Sequence, residues 1–79
     1  MPEAPRIVYR FDSSPGREIW AQLTTGQDGR RRADLRIYRV GSEATRPTSY
    51  ALNVTLDVLP ELQAAVEALV EAAREERGE

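Results

Sequence analysis

Residues 48–73 read TSYALNVTLDVLPELQAAVEALVEAA, and the spacing of their apolar side chains changes at Asp57. Before that point every second residue is apolar, which is the period of a strand with one buried face. The apolar members of this first half are Tyr50, Leu52, Val54 and Leu56. After that point the apolar residues fall within an arc of about 120° at about 100° per residue, as on an amphipathic helix. These residues are Val58, Leu59, Leu62, Val66, Leu69, Val70 and Ala73. The stretch therefore predicts a strand that leads directly into a long helix.

Three upstream segments, residues 6–12, 18–25 and 32–40, alternate in the same way. They are separated by turn sequences, SSPG at 13–16 and GQDG at 26–29, and a polar loop at 41–47 precedes the last strand. Proline and glycine favour tight turns, and Asp-Gly is a strong hairpin signal. We therefore predict an α+β fold with the order β-β-β-β-α, in which a four-stranded antiparallel meander is followed by one helix. Residues 1–79 form a single domain, with the sheet at about 6–56 and the helix at about 57–77.

The predicted helix has start and stop signals at its two ends. Asp57 is a suitable N-cap, and Pro60 is tolerated because the first turn of a helix has no intrahelical donors to lose. Gly78 suits the stop. Twenty residues give a helix of roughly 30 Å, whereas four strands span only roughly 15–20 Å. We expect the surplus apolar stripe to form a homodimer interface, and the alternative is that the stripe lies on its own sheet. The interface residues would be Leu59, Leu62, Val66, Leu69 and Ala73, which follow a 3-4-3-4 spacing.

The composition limits both stability and function. The chain has 79 residues, a net charge of −2 and no cysteine, histidine or lysine. A domain of this size has a marginal core, and no disulfide or thiolate zinc site is available to stabilise it. No apolar run approaches about 18 residues, and the N-terminal MPEAPR lacks the form of a signal peptide. We expect a cytoplasmic protein without membrane contact, with association to the nucleoid as a further option.

The small net charge conceals a division of sign. Residues 1–50 hold nine arginines and six acids, a balance of +3, whereas residues 51–79 hold two arginines and seven acids, a balance of −5. A locally basic part keeps nucleic acid open as a partner. Catalysis is not expected, because the usual bases and nucleophiles are reduced to carboxylates, serine and tyrosine. We expect no enzyme activity, no cofactor and no metal, and we interpret the Glu67, Glu71 and Glu75 ladder as a solvated helix face.

Alternation divides the sheet into two faces. It places Ile7, Tyr9 and Phe11 on one face of the first strand and Val8 on the other. The face turned away from the helix should carry Trp20, Gln22, Arg36 and Tyr38, with Arg10 at its edge. Aromatic and arginine side chains on a strand surface can stack on bases and hold phosphates. The alternative is that Trp20 packs locally or fills a dimer interface.

Residues 30–32 are three consecutive arginines, which follow the second turn and open a strand. Because successive strand residues point to opposite faces, at most two of them can meet one ligand. They are candidates for a phosphate-contacting lip. The alternative is a solvated strand end that is protected from edge pairing by its charge.

Three stretches resemble the transcriptional coactivator family called positive cofactor four, and its small bacterial members most. They are ADLRIYRV at 33–40, RPTSYALNVTL at 46–56 and DVLPELQAAVEAL at 57–69. The resemblance implies a curved four-stranded sheet with one C-terminal helix. It also implies a homodimer that binds single-stranded or melted DNA across the strands with little sequence preference. The implied mechanism is phosphate neutralisation by basic side chains plus base stacking on aromatics.

The resemblance also assigns individual positions. Arg36 matches a DNA-facing arginine, Arg39 occupies the place of a base-contacting aromatic, and Arg46 stands where a loop lysine is common. Ser49, Tyr50 and Ala51 stand where that family has paired lysines and a glycine. Loss of the two lysines removes two phosphate contacts, which predicts weaker binding.

From these observations we predict a homodimeric single-stranded nucleic-acid-binding protein of the transcriptional coactivator type. Its partners would be single-stranded DNA or RNA and, further, the transcription machinery. The candidate binding residues are Trp20, Arg30, Arg32, Arg36, Tyr38, Arg39 and Arg46. The alternative is a protein–protein interaction and dimerisation module of the same fold that has lost nucleic-acid binding.

Overall fold

A computed structural model describes residues 4–78 of the chain and contains one sheet and one helix. Its elements are β1 (Arg6–Ser14), β2 (Arg17–Thr25), β3 (Arg31–Val40), β4 (Thr45–Thr55), a 3-10 turn (Leu56–Val58) and α1 (Leu59–Glu76). The strands are antiparallel and lie in the order β1-β2-β3-β4. The predicted α+β architecture is confirmed. Within residues 4–78 no helix has the length and apolar character that crossing a membrane requires.

Glycine sets the two predicted hairpin turns. Gly16 and Gly29 have φ values of 78° and 80°, which a side chain would strain. The second turn is closed by a hydrogen bond of 3.0 Å from the Gly29 N–H to the Gly26 carbonyl. The Asp28 carboxylate also accepts a hydrogen bond of 3.0 Å from the Arg30 N–H. This turn sets the pairing of β2 with β3, which then continues without a shift to the other end of both strands.

The two edge strands differ from the alternation that the sequence predicts. The pairing of β1 with β2 shifts between Ile7 and Tyr9, so that Ile7 lies opposite Gln22 on the polar side. Val8 instead lines an apolar hollow beside Leu23 and other residues of the opposite face. The predicted faces of Ile7 and Val8 are therefore wrong, because a β-bulge inserts one extra residue into the strand.

The start of β4 also differs from the prediction. The strand begins at Thr45 rather than after a polar loop that reaches residue 47. Pro47 pairs with Tyr38, which an edge strand tolerates because one side of its backbone has no partner strand. A register shift follows between the pairs of Arg36 and Tyr38. There the Thr48 hydroxyl donates a hydrogen bond of 2.7 Å to the Ile37 carbonyl.

The helix starts two residues later than predicted and without the predicted cap. Residues 56–58 form a 3-10 turn, and Val58 precedes α1 with no side-chain cap. Asp57 instead accepts hydrogen bonds from the Thr55 side chain and from its own N–H, and these lower the pKa of its carboxyl. Pro60 lies in the first turn of α1 as predicted. Gly78, with a φ of 74°, follows the C-terminal end of the helix.

The chain on its own has no apolar core. Among residues 4–78 no hydrophobic side chain is buried, and the two buried residues, Gln22 and Asp34, are polar. The helix projects from the sheet, and Val66, Leu69 and Val70 are 49%, 68% and 46% exposed. The alternative that the whole helical stripe lies on its own sheet is therefore wrong.

The dimensions show the same openness. The chain has an accessible surface of 6472 Å², whereas a compact protein of 8.9 kDa exposes about 4,800 Å². Its radius of gyration is 14.9 Å, compared with about 11.6 Å for a compact domain of 79 residues.

Candidate nucleic-acid interface

The polar face of the sheet carries an aromatic stack. We use "polar face" for the side that bears Trp20, Gln22, Asp34, Arg36, Tyr38 and Asn53. The Trp20 and Tyr38 rings are stacked, with centroids 3.9 Å apart and planes at 17°. The Arg10 guanidinium carbon lies 5.0 Å from the Trp20 ring centroid, in the range of a cation–π interaction. Because Arg10 comes from β1 and Tyr38 from β3, the indole is contacted from both neighbouring strands. Its Nε1 donates a hydrogen bond of 2.8 Å to Glu18.

Asp34 is the centre of a hydrogen-bond network beside this stack. Arg36 contacts both carboxylate oxygens, through Nε at 3.1 Å and a terminal nitrogen at 3.2 Å. Asn53 donates at 3.1 Å and Gln22 at 3.3 Å. Gln22 also donates to the Tyr38 hydroxyl at 3.0 Å. The network therefore links β2, β3 and β4, and in residues 4–78 no buried side-chain nitrogen or oxygen lacks a partner.

Two opposing effects set the ionisation of Asp34, which is only 2% exposed. Burial acts to raise the pKa of its carboxyl. Hydrogen bonds from Arg36 and Asn53 and the charge of Arg36 outweigh burial, so that the pKa lies below its usual 3.8. Asp34 is therefore ionised at neutral pH, and the charge of Arg36 is engaged within the chain.

The apolar face of the sheet ends in a row of arginines. Arg17, Arg39 and Arg46 occupy directly opposite positions on β2, β3 and β4. We call these three residues the arginine row. Their Cα atoms span about 10 Å, because neighbouring strands lie about 4.8 Å apart. All three are exposed, and none forms an ion pair with an acid of the described chain.

The three arginines that are consecutive in the sequence, residues 30–32, lie at the opposite end of the sheet from the arginine row. Arg30 is exposed in the turn between β2 and β3. Arg31 donates a hydrogen bond of 3.1 Å to the Thr25 hydroxyl, and Arg32 pairs with Asp28 at 3.5 Å. Thr25 at the end of β2 and Asp28 in the turn thus contact the two arginines that open β3.

The structure separates the seven candidate binding residues into three groups. Trp20, Arg32, Arg36 and Tyr38 lie on the polar side, Arg39 and Arg46 lie on the apolar side, and Arg30 lies in a turn. The sequence reasoning did not include Arg17 in the candidate site. Its position opposite Arg39 follows from the turn at 26–29. That turn places Thr25 opposite Arg31, and the pairing then continues without a shift as far as Arg17 and Arg39.

The predicted dimer residues lie along one side of α1. Leu59 and Leu62 are half-buried at the base of the helix, where Leu59 lines a hollow with Ala21, Leu23 and Leu35 of the apolar face. The other three members, Val66, Leu69 and Ala73, are exposed. The helical acids Glu67, Glu71 and Glu75 are also exposed. Thus nine of the eleven arginines precede the helix, whereas α1 holds five acids and one arginine.

No protein family, no curated protein and no solved structure matches this chain.

Proposed function

We propose that the protein is a homodimer that binds single-stranded nucleic acid with low sequence specificity. Its role would be that of a transcriptional coactivator or another DNA-handling protein of the cytoplasm or nucleoid. This function has no need of a cofactor or of catalytic groups. The resemblance of roughly residues 18–70 to the positive cofactor four family supports the proposal at the level of sequence.

One observation carries the binding part of the proposal, namely that most sheet arginines lack an acidic partner. Five arginines of the sheet form no ion pair with an acid of residues 4–78, and they are Arg6, Arg10, Arg17, Arg39 and Arg46. In the same region Arg32 and Arg36 are paired with acids. Unpaired guanidinium groups on an open sheet can release counterions from a phosphate backbone, which is the main source of non-specific affinity.

The uncovered apolar surface supports the homodimer. The chain exposes about 1,700 Å² more than a compact protein of its mass, which is within the range that an obligate dimer buries per subunit. The stripe on α1 and the hollow at its base are continuous through Leu59. A second copy could therefore cover both surfaces with the same residues, as a two-fold interface requires.

The polar face has a smaller part in this proposal than the sequence predicts. The Trp20 ring is already contacted by Arg10 and Tyr38, and the charge of Arg36 is engaged by Asp34. A base could stack on Trp20 only by displacing one of these contacts. We therefore assign the polar face mainly to holding the strands in register, with the free arginines supplying the affinity.

The test is a titration of a fluorescent oligo-dT with the purified protein, followed by anisotropy at several salt concentrations. We expect binding at low salt and a steep loss of affinity as salt rises, with a slope of about −0.7 per phosphate contact. Absence of binding at low salt and micromolar protein would refute the proposed binding function.

The uncovered apolar face also favours a second candidate, a protein–protein interaction module without nucleic-acid binding. Such a module would associate with its partner through apolar contacts, which salt does not weaken. Salt-insensitive association in the absence of any oligonucleotide binding would favour this candidate over the first.

A further inference from the structure

We infer that the arginine row, formed by Arg17, Arg39 and Arg46, is a site for consecutive phosphate groups that recognises charge and not bases. The ligand class is a linear phosphate polymer. Both the phosphodiester backbone of single-stranded nucleic acid and the phosphoanhydride chain of inorganic polyphosphate have this chemistry. The inference rests on the proposed nucleic-acid binding and assigns that binding to one end of one sheet face.

The first argument is electrostatic. Like charges directly opposite one another in a sheet destabilise it, and here three of them occupy adjacent strands. The polar face shows a different solution in the same strands, because Arg36 there has Asp34 as a partner. Within residues 4–78, no acid forms an ion pair with an arginine of the row. A bound anion would supply the missing counter-charge, and guanidinium groups bind phosphate oxygens in a bidentate manner.

The second argument is access. The row lies at the end of the sheet that carries the β1–β2 and β3–β4 turns, whereas α1 leaves from the opposite end. Its three side chains are exposed. Glu43, the acid of the β3–β4 turn, is also exposed and lines the same shallow hollow as Arg39 and Arg46. A helix packed on the apolar hollow near Leu59 would leave this end of the sheet open.

The third argument concerns the bases. The stacked pair Trp20 and Tyr38 lies on the polar face, on the other side of the sheet from the row. On β3 the apolar-face residues beyond Arg39 are aliphatic. On β1 this face carries Tyr9 and Phe11, whose ring centroids are 6.1 Å apart with planes tilted at 51°. Tyr50 is the aromatic residue of β4 on this side and is 69% exposed. The row thus provides guanidinium groups at regular spacing, whereas the aromatic rings on this face form no stacked pair among residues 4–78.

The first arm of the test removes two charges from the row. The double variant Arg17→Gln/Arg39→Gln is compared with Arg74→Gln/Arg77→Gln, which changes the net charge equally but at the C-terminal end of the helix. We expect the row variant to reduce the salt slope of oligo-dT binding by about 1.4 for each protomer that the strand contacts, which is two phosphate contacts at about 0.7 each. The helix variant should keep the slope of the unmodified protein. An unchanged slope in the row variant overturns the inference.

The second arm distinguishes the parts of the ligand. Inorganic polyphosphate should displace oligo-dT, and an abasic strand of equal length should bind as tightly as oligo-dT. Loss of fivefold or more in affinity for the abasic strand, about the least that one stacked base contributes, overturns recognition by charge alone. Poly-glutamate of the same total charge should compete less well than polyphosphate, and equal competition overturns the assignment to phosphate.

A third arm measures melting temperatures, so that the test still applies if the row variant folds differently from the unmodified protein. Polyphosphate should raise the melting temperature of the unmodified protein by binding its native state, but not that of the row variant. Because the row variant loses like-charge repulsion, its own melting temperature should be equal to or higher than that of the unmodified protein. A lower melting temperature, or an equal rise with polyphosphate, contradicts the inference. If the unmodified protein binds neither oligo-dT nor polyphosphate, the proposed function itself fails, whereas binding with an unchanged slope refutes only the assignment to the row.

Discussion

The two faces of the sheet differ in how far a single chain satisfies the contacts of their side chains. On the polar face, Asp34 is 2% exposed and receives hydrogen bonds from three side chains of its own chain. On the apolar face, Tyr9 and Leu52 remain 67% and 46% exposed, and the helix that could cover them projects away. The polar contacts are satisfied within one chain, while the apolar contacts are not.

The two faces therefore contribute differently to folding: the polar face fixes the register of the strands, whereas apolar burial determines stability. Directional hydrogen bonds around Asp34 join β2, β3 and β4 in one register, because a slip of one residue would move Asp34 to the other face. Apolar burial supplies most of the free energy of folding, and the single chain buries little of it. We therefore attribute the register to contacts within one chain and propose that a second copy supplies most of the stability.

The largest expected effect comes from placing a charge on the helical stripe. Val66→Asp puts a carboxylate into the proposed interface, and a two-fold interface contains it twice. We expect loss of the dimer and of cooperative folding, since an unpaired buried charge costs about 3–5 kcal/mol. Ala64→Asp, on the opposite side of α1, is the matched control and should leave the dimer intact. Circular dichroism and light scattering measure both outcomes, and equal behaviour of the two variants would argue against the interface.

The next effect comes from the polar face. Asp34→Asn removes the charge that Arg36 contacts and leaves that guanidinium half-buried without its partner. We expect a loss of about 3 kcal/mol, at the lower end of the range for broken buried pairs because Arg36 stays 30% exposed. Asp12→Asn on the exposed strand β1 should change stability by less than about 0.5 kcal/mol. Urea unfolding compares the two variants, and a similar small loss in both would show that the network contributes little.

The pH dependence of stability should follow from the same carboxyl. The folded pKa of Asp34 lies below its unfolded value of about 3.8, so its contribution is present above that value. Stability should then fall as the pH decreases below about 4, through the lowered pKa. Asp34→Asn should flatten this part of the curve. Urea midpoints measured between neutral and acidic pH test this, and parallel curves for both proteins would contradict it.

The smallest expected effect concerns the hydroxyl of Tyr38. Tyr38→Phe keeps the ring stacked on Trp20 but removes the oxygen that accepts a hydrogen bond from Gln22. Because Gln22 retains its contact with Asp34, we expect a loss of only about 0.5–1.5 kcal/mol. Denaturant unfolding followed by Trp20 fluorescence measures it. A loss as large as that of Asp34→Asn would mean that the hydroxyl, and not the carboxylate, holds the network together.

The sequence was sufficient to predict the strands, the helix and the two faces of β2 and β3. Their alternation is regular, and the Asp-Gly turn sets their register. The edge strands were harder because a bulge depends on the partner strand, which is why Ile7 and Val8 were assigned to the wrong faces. The start of the helix was also misjudged, since Asp57 is hydrogen-bonded to Thr55 within the preceding 3-10 turn.

The candidate site shows the same limit. Alternation correctly places Trp20, Arg36 and Tyr38 on one face. It does not reveal that the Trp20 and Tyr38 rings stack on each other, or that Arg36 pairs with Asp34. Both contacts depend on the distances between side chains. Arg17 was missed for a related reason, because a lone arginine at the start of a strand has no signal of its own. Its significance comes only from the register that brings it opposite Arg39.

The central claim, that a second copy completes the apolar face, is tested most directly by sedimentation equilibrium of the unmodified protein at several concentrations. The account predicts a mass of about 18 kDa, twice the 8.9 kDa of the chain, with unfolding that becomes easier as the protein is diluted. A mass of 8.9 kDa together with cooperative, concentration-independent unfolding would contradict it.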